Sequence, residues 1–363
     1  MARNQAFAAL FSLAAMASVC LALGFAVRSK ALLQRLDLKK EDSCRQTRGL
    51  LSHSQWFQTP DEPWIYDLPP KPDFSKGGVV FIGPSEVEYS TAFWKLRPEL
   101  QELVHNFGVE AATPACESLL LRYLIENRGL VRAGGEKTLV VFGATYQPLH
   151  YEQAVNPFWI DCWTRYGFYE VDPEAGIRPA SLNPISRFIR LEEMLQAGCL
   201  KQLTDAFAEK ARRWRHRGSE PIRRLDPAGY IALRRSQMGP NWRAKIQNAM
   251  PAVANNIESL RARGVEVRVV LMPQSSWESQ LPYSGEYYKD LRSLCEMKHV
   301  PLSDWSKMLE DDDFADTLSH PNIYGMEKIQ TALLDLAVPF LESTHALREG
   351  TAGGLEANRM RTE

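Results

Sequence analysis

The chain predicts a three-layer α/β/α sandwich built on a parallel sheet, preceded by an N-terminal transmembrane helix. Short apolar runs that end in glycine or polar loops recur at Val79–Ile82, Thr138–Gly143 and Val265–Pro273, as expected of strands buried on both faces. Segments with helical apolar spacing lie between them, which is the alternation that parallel strands need for their crossovers. The uncharged run from Ala6 to Val27, at about 20 residues, is long enough to cross a hydrocarbon core.

With 363 residues, 45% hydrophobic and 24% charged, the chain can bury one large core with insertions or two modest ones. Its formal net charge of -1 gives no reason to expect nucleic acid, which calls for a marked positive surplus. Cys20, Cys44, Cys116, Cys162, Cys199 and Cys295 show no C-x-x-C spacing and no histidine in ligand register. Neither a zinc site nor a dense disulfide framework is expected, one disulfide stays open, and the chemistry below requires no metal or cofactor.

Residues 1–30 read as a membrane anchor or signal. Small residues that would suit cleavage recur at Ala22, Gly24 and Ala26, but Val19 before Cys20 argues against a lipoprotein site, and an uncleaved anchor is expected. Arg28, Lys30, Arg35, Lys39 and Lys40 outnumber Arg3, which by charge alone would keep the bulk of the chain in the cytoplasm. Residues 31–76 form a proline-rich linker, with Trp56, Phe57, Trp64 and Tyr66 as its packing contacts.

The domain over 77–345 opens with strand Val79–Ile82, and Gly83-Pro84-Ser85-Glu86 turns the chain into a helix. A helix at Thr91–His105, a short strand within Asn106–Thr113 beside Gly108, and a helix at Cys116–Asn127 carrying Leu119, Leu120, Tyr123 and Leu124 follow. After Gly134-Gly135 comes strand Thr138–Gly143, with Ala144-Thr145-Tyr146-Gln147 as its exit loop. A helix over Ala252–Arg263, strand Val265–Pro273, a short strand His299–Leu302 and a helix Tyr324–Leu341 complete the domain, and 346–363 is a flexible tail.

Between the third and fourth strands lies an insertion at about 150–250, far longer than usual α/β connections. Its first half is aromatic (Phe158, Trp159, Trp163, Tyr166, Phe168, Tyr169), and Arg212-Arg213-Trp214-Arg215-His216-Arg217 is its densest basic run. Two readings stand: a lid receiving an anionic polymer or lipid headgroup, or a solvated helical face.

Ser85 sits where a strand turns into a helix, at the sheet end where open α/β folds bind ligands. Near the other terminus, Asp311-Asp312-Asp313 and Asp316 precede His320-Pro321-Asn322-Ile323-Tyr324-Gly325. A serine hydroxyl is a weak nucleophile until an imidazole takes its proton, and a carboxylate holds the imidazole in the productive tautomer. The plainer alternatives are a helix-capping serine, a surface histidine and a solvated acidic loop.

In their order, Phe81-Ile82-Gly83-Pro84-Ser85-Glu86, Gly108, the strand end at Gly143 and the Asp…His-Pro-Asn-x-x-Gly block resemble the SGNH (GDSL-like) hydrolase superfamily. The Gly-x-Ser-Glu form behind an anchor looks most like the branch holding teichoic acid D-alanine transfer and alginate O-acetylation proteins. The resemblance implies Ser85 as nucleophile, His320 as base and Asp316 as its orienting acid. It also implies an oxyanion hole from the N–H groups of Ser85 and Gly108, with Thr145 or Gln147 where the family often has asparagine. Asp316 lies four residues before His320 rather than the usual three, so Asp313 is the alternative acid.

The function so implied is an extracytoplasmic, membrane-anchored serine acyltransferase or esterase acting on hydroxyl esters of an envelope saccharide, with a membrane-bound acyltransferase as partner. A non-catalytic scaffold that keeps the fold is the alternative, and it expects Ser85 and His320 to stand apart.

Overall fold

A computed structural model describes residues 77–90, 103–131, 137–151, 153–164, 167–190, 227–314 and 319–344, with positions 12, 15, 18, 22, 74 and 100. Apart from those single positions, the expected anchor, the linker with its four aromatic residues, the arginine run 212–217 and the tail lie outside the described residues. Among the described residues no helix is long and apolar enough to cross a membrane.

In chain order the elements are β1 (Gly78–Gly83), α1 (Ser85–Glu88), β2 (Val104–Gly108), α2 (Pro114–Arg128), β3 (Thr138–Ala144), α3 (Pro157–Thr164), β4 (Tyr169–Asp172) and β5 (Gly176–Pro179). They continue with α4 (Pro227–Met238), α5 (Trp242–Arg261), β6 (Glu266–Leu271), α6 (Pro282–Lys298), β7 (Leu302–Asp304) and α7 (Ile323–Thr344). Five strands make one sheet in the order β2-β1-β3-β6-β7, every neighbouring pair parallel. The chain goes outward from β1 to β2 and then crosses to β3 on the other side, so the strand order reverses at the carboxyl ends of β1 and β3.

The apolar runs are continuous because each strand feeds two cores. Val80 and Ile82 of β1, Val140 and Phe142 of β3, and Val267, Val269 and Leu271 of β6 pack with α2, α5 and α6. Val79, Phe81, Leu139, Val141 and Val270 point the other way, against Trp305, Phe314 and the Ile329, Leu333, Ala337 and Leu341 stripe of α7. That is a three-layer arrangement with a parallel sheet in the middle.

Two strand boundaries and one helix differ from expectation. Strand β2 begins at Val104, inside the predicted helix Thr91–His105, because Val104 and His105 pair with Val79 and Val80 and strand pairing outweighs local propensity. Strand β7 starts at Leu302 rather than His299: His299 closes α6 in the left-handed region, at φ 51. Helix α6 itself was not expected, although Tyr283, Tyr287, Leu291 and Cys295 form its buried stripe.

The aromatic half of the insertion is core rather than lid. Trp159 and Trp163 are fully buried, and Trp163 stands edge-on to Tyr123 and Tyr169. Strands β4 and β5 form an antiparallel hairpin beside them. Phe158 alone of these described aromatic residues is exposed.

Candidate active site

Ser85 is the first residue of α1, and Pro84 occupies the capping position without a side-chain cap, so the serine is not a helix cap. The four-residue helix is pressed onto the strand ends. A Cβ on Gly83 would lie 2.4 Å from Val87 Cγ2, and one on Gly108 would lie 2.1 Å from the Glu88 backbone nitrogen, closer than atoms can approach. Glycine at these two strand ends is therefore a requirement for seating the serine turn. Asn106 of β2 fastens it: its Nδ2 donates to the Val87 carbonyl at 2.9 Å and to the Glu88 carbonyl at 3.3 Å.

His320 reaches the same point from the opposite end of the chain. Its Nε2 stands 3.0 Å from Ser85 Oγ, within the range of a nucleophile–base hydrogen bond. Tyr89 packs edge-on against the imidazole, ring centroids 5.1 Å apart. The loop is held by Asn322, whose Oδ1 accepts from the Tyr324 and Gly325 N–H groups at 2.9 and 3.2 Å and so caps α7. Asn322 Nδ2 donates to the carbonyls of Asp312 and Phe314. A Cβ on Gly325 would lie 2.4 Å from the Asp313 carbonyl oxygen, which leaves room only for glycine there.

The acids divide differently. Asp316 lies outside the described residues. Asp313 is engaged elsewhere: its Oδ2 accepts from the Glu310 N–H at 2.8 Å and from Lys328 Nζ at 2.6 Å. Among the described residues, the carboxyl group that touches Ser85 is that of Glu86, buried, with Oε2 3.3 Å from Ser85 Oγ. Burial pushes its carboxyl up to about 7, against the attraction of Arg234.

The expected oxyanion donors fare unevenly. The Ser85 N–H, first in its helix, has no intrahelical acceptor. The Gly108 N–H instead donates to Asn106 Oδ1 at 2.7 Å. Thr145 Oγ1 faces the Gln147 N–H of its own loop at 3.5 Å, and the residue lines a small cavity with Pro84 and Glu117. The Gln147 amide is held at both ends, donating to Glu278 and accepting from Arg234 Nη2, each at 2.6 Å.

That last pair belongs to a buried network which the sequence did not disclose. Tyr230 of α4 donates its hydroxyl to Glu278 at 2.6 Å and accepts from Arg234 Nε at 3.0 Å. Burial raises the Glu278 carboxyl, while Arg234 and its hydrogen-bond donors oppose that rise. The network ties helix α4 of the insertion to the loop after β3.

No protein-family model matches the chain, and no curated relative matches it. Among solved structures, the chain is similar to an acylhydrolase candidate from Bacteroides fragilis, at 12% identity and TM-score 0.37, covering 78% of this chain and 97% of that one. It is similar also to a GDSL-like lipase from Bacteroides thetaiotaomicron, at 10% identity and TM-score 0.36, covering 76% and 94%. At these values neither match speaks to chemistry here, which has to come from the site itself.

Proposed function

We propose that this chain is a membrane-anchored, extracytoplasmic serine enzyme of the SGNH type, acting as esterase or O-acyltransferase on hydroxyl esters of a cell-envelope saccharide. The observation that carries the reading is the 3.0 Å approach of His320 Nε2 to Ser85 Oγ, on strand-end loops beside the reversal of strand order. The scaffold alternative expects those two groups apart. The anchor, the cellular face and the saccharide are inferred from the uncharged run at Ala6–Val27 and the Gly-x-Ser-Glu resemblance. The membrane-bound acyltransferase partner is likewise inferred from resemblance.

In the proposed step Ser85 Oγ attacks the ester carbonyl carbon while His320 Nε2 takes the hydroxyl proton. The carbonyl oxygen becomes an oxyanion facing the Ser85 N–H. Collapse expels the leaving alkoxide, which receives the proton from His320 and leaves an acyl group on Ser85. Water or an acceptor hydroxyl then repeats the sequence in reverse, with His320 again taking the proton. Asp316 is the proposed orienting acid, since Asp313 is committed to Lys328 and the Glu310 N–H.

The test is labelling of the purified protein with a fluorophosphonate probe, which needs an activated hydroxyl. Labelling of the wild type that disappears in both Ser85→Ala and His320→Ala supports the reading. A folded protein that takes no label, or a Ser85→Ala variant that takes it fully, overturns it.

A further inference from the structure

Building on that reading, we infer that Glu86 is a second acceptor for the Ser85 hydroxyl proton and gates the nucleophile, leaving it to His320 only while Glu86 itself is protonated. A serine has one O–H to donate. Here two acceptors stand within reach of it, His320 Nε2 at 3.0 Å and Glu86 Oε2 at 3.3 Å. Only the bond to His320 leads towards attack, because only the imidazole relays the proton onward to the leaving group.

The surroundings of Glu86 make its proton matter. The side chain is 4% exposed. Facing it are Arg234 from α4, Glu278 from the turn after β6, the Ser85 hydroxyl and the backbone N–H of Glu86 itself. Tyr288 from α6 adds a further interaction, and His320 lies across the shared serine. Arg234 favours the carboxylate and Glu278 opposes it, but desolvation is the largest influence, and the carboxyl titrates at about 7.

Protonated, Glu86 carries a donor and can give a hydrogen bond to Ser85 Oγ, which frees the serine proton for His320. Ionised, it is acceptor only, and a charged acceptor outcompetes a neutral one for the same donor. Its negative charge also stands beside the position where the oxyanion develops and works against it. Reactivity therefore falls as Glu86 ionises, so the alkaline limb of the pH profile belongs to Glu86.

The experiment measures the fluorophosphonate labelling rate of the full-length protein from about pH 5 to about pH 10. The wild-type rate is expected to fall on the alkaline side. Glu86→Gln, which keeps the shape but cannot ionise, is expected to hold its plateau and to exceed the wild type by about tenfold or more at about pH 9. An alkaline limb unchanged in Glu86→Gln overturns the inference, as does a uniform drop at every pH, which marks a merely structural role.

A second readout requires neither turnover nor a fold tolerant of change at Glu86. The carbon-13 carboxyl signal of Glu86 is titrated in wild type and Ser85→Ala, and loss of the serine donor is expected to move its midpoint upward. An unmoved midpoint overturns the inference. A shifted midpoint in a protein that takes no label supports the shared proton while removing the acyl-transfer reading, so the two failures are told apart.

Discussion

Gly143 at the end of β3 and Val87 of α1 touch so closely that a Cβ on the glycine would lie 2.2 Å from Val87 Cγ2. The seat of the Ser85 turn is thus shaped by the absence of a side chain on β3, the strand paired directly with the β1 strand that leads into Ser85. Gly143→Ala is expected to destabilise the fold by about 1–3 kcal/mol, as overpacked sites do, and to lower labelling further than the stability loss explains. Val87→Ala should restore part of both in the double variant, a coupling that denaturant melts and labelling rates of the full cycle would reveal.

Asn322 is expected to matter more than its distance from the chemistry implies. Asn322→Ala removes the cap of α7 and two bonds to the 312–314 loop. A loss of about 1–2 kcal/mol is expected for the cap alone, together with weakened reactivity because His320 is two residues away. Thermal melts beside labelling rates check it.

The two acids should separate cleanly. Asp316→Asn is expected to reduce acylation by about a thousandfold or more, the scale of losing an orienting carboxylate. Asp313→Asn breaks the ion pair to Lys328 and weakens the bond from the Glu310 N–H at a buried carboxylate, and should change reactivity little while costing about 1–3 kcal/mol of stability. Equal losses in the two variants would contradict the assignment.

Glu117 links stability to pH. It is buried on α2, and burial pushes its carboxyl up to about 8 from an ordinary 4.5. Between those values the folded chain binds a proton that the unfolded chain has lost, so stability falls as pH rises through the window and the penalty is complete above about 8. Glu86, raised to about 7, acts in the same direction over a narrower range. Glu117→Gln should flatten the decline and be more stable than wild type by about 1–3 kcal/mol near pH 9, measured by denaturant midpoints at several pH values.

The sheet could be read because strands buried on both sides leave an uninterrupted apolar signature, as Val79–Ile82 and Thr138–Gly143 do. Ser85 and His320 could be read because each sits in a glycine- or proline-punctuated turn beside a regular element. The network joining Gln147, Tyr230, Arg234 and Glu278 could not, since its members are scattered along the chain and share no period. Asn106 was hidden for a related reason: a polar residue inside a buried strand looks like a weak strand until its carbonyl partners on α1 are in place. The hairpin β4–β5 and the helix α6 did carry signals. Tyr169-Glu170-Val171-Asp172 alternates, and Tyr283, Tyr287, Leu291 and Cys295 recur every fourth residue, short patterns that go unnoticed beside a long insertion.

Ser85 and His320 are 235 positions apart in the chain, with six of the seven described strands between them and β1 just before Ser85. During synthesis Ser85 emerges early and stays without His320 until nearly the whole domain has been made. Under the proposed reading, premature release, or a proteolytic cut that lets the last helix drift away, yields a product with the serine but no reactivity. Probe capture would therefore count completed molecules, and in a pulse-chase it would time the docking of the C-terminal segment onto the sheet.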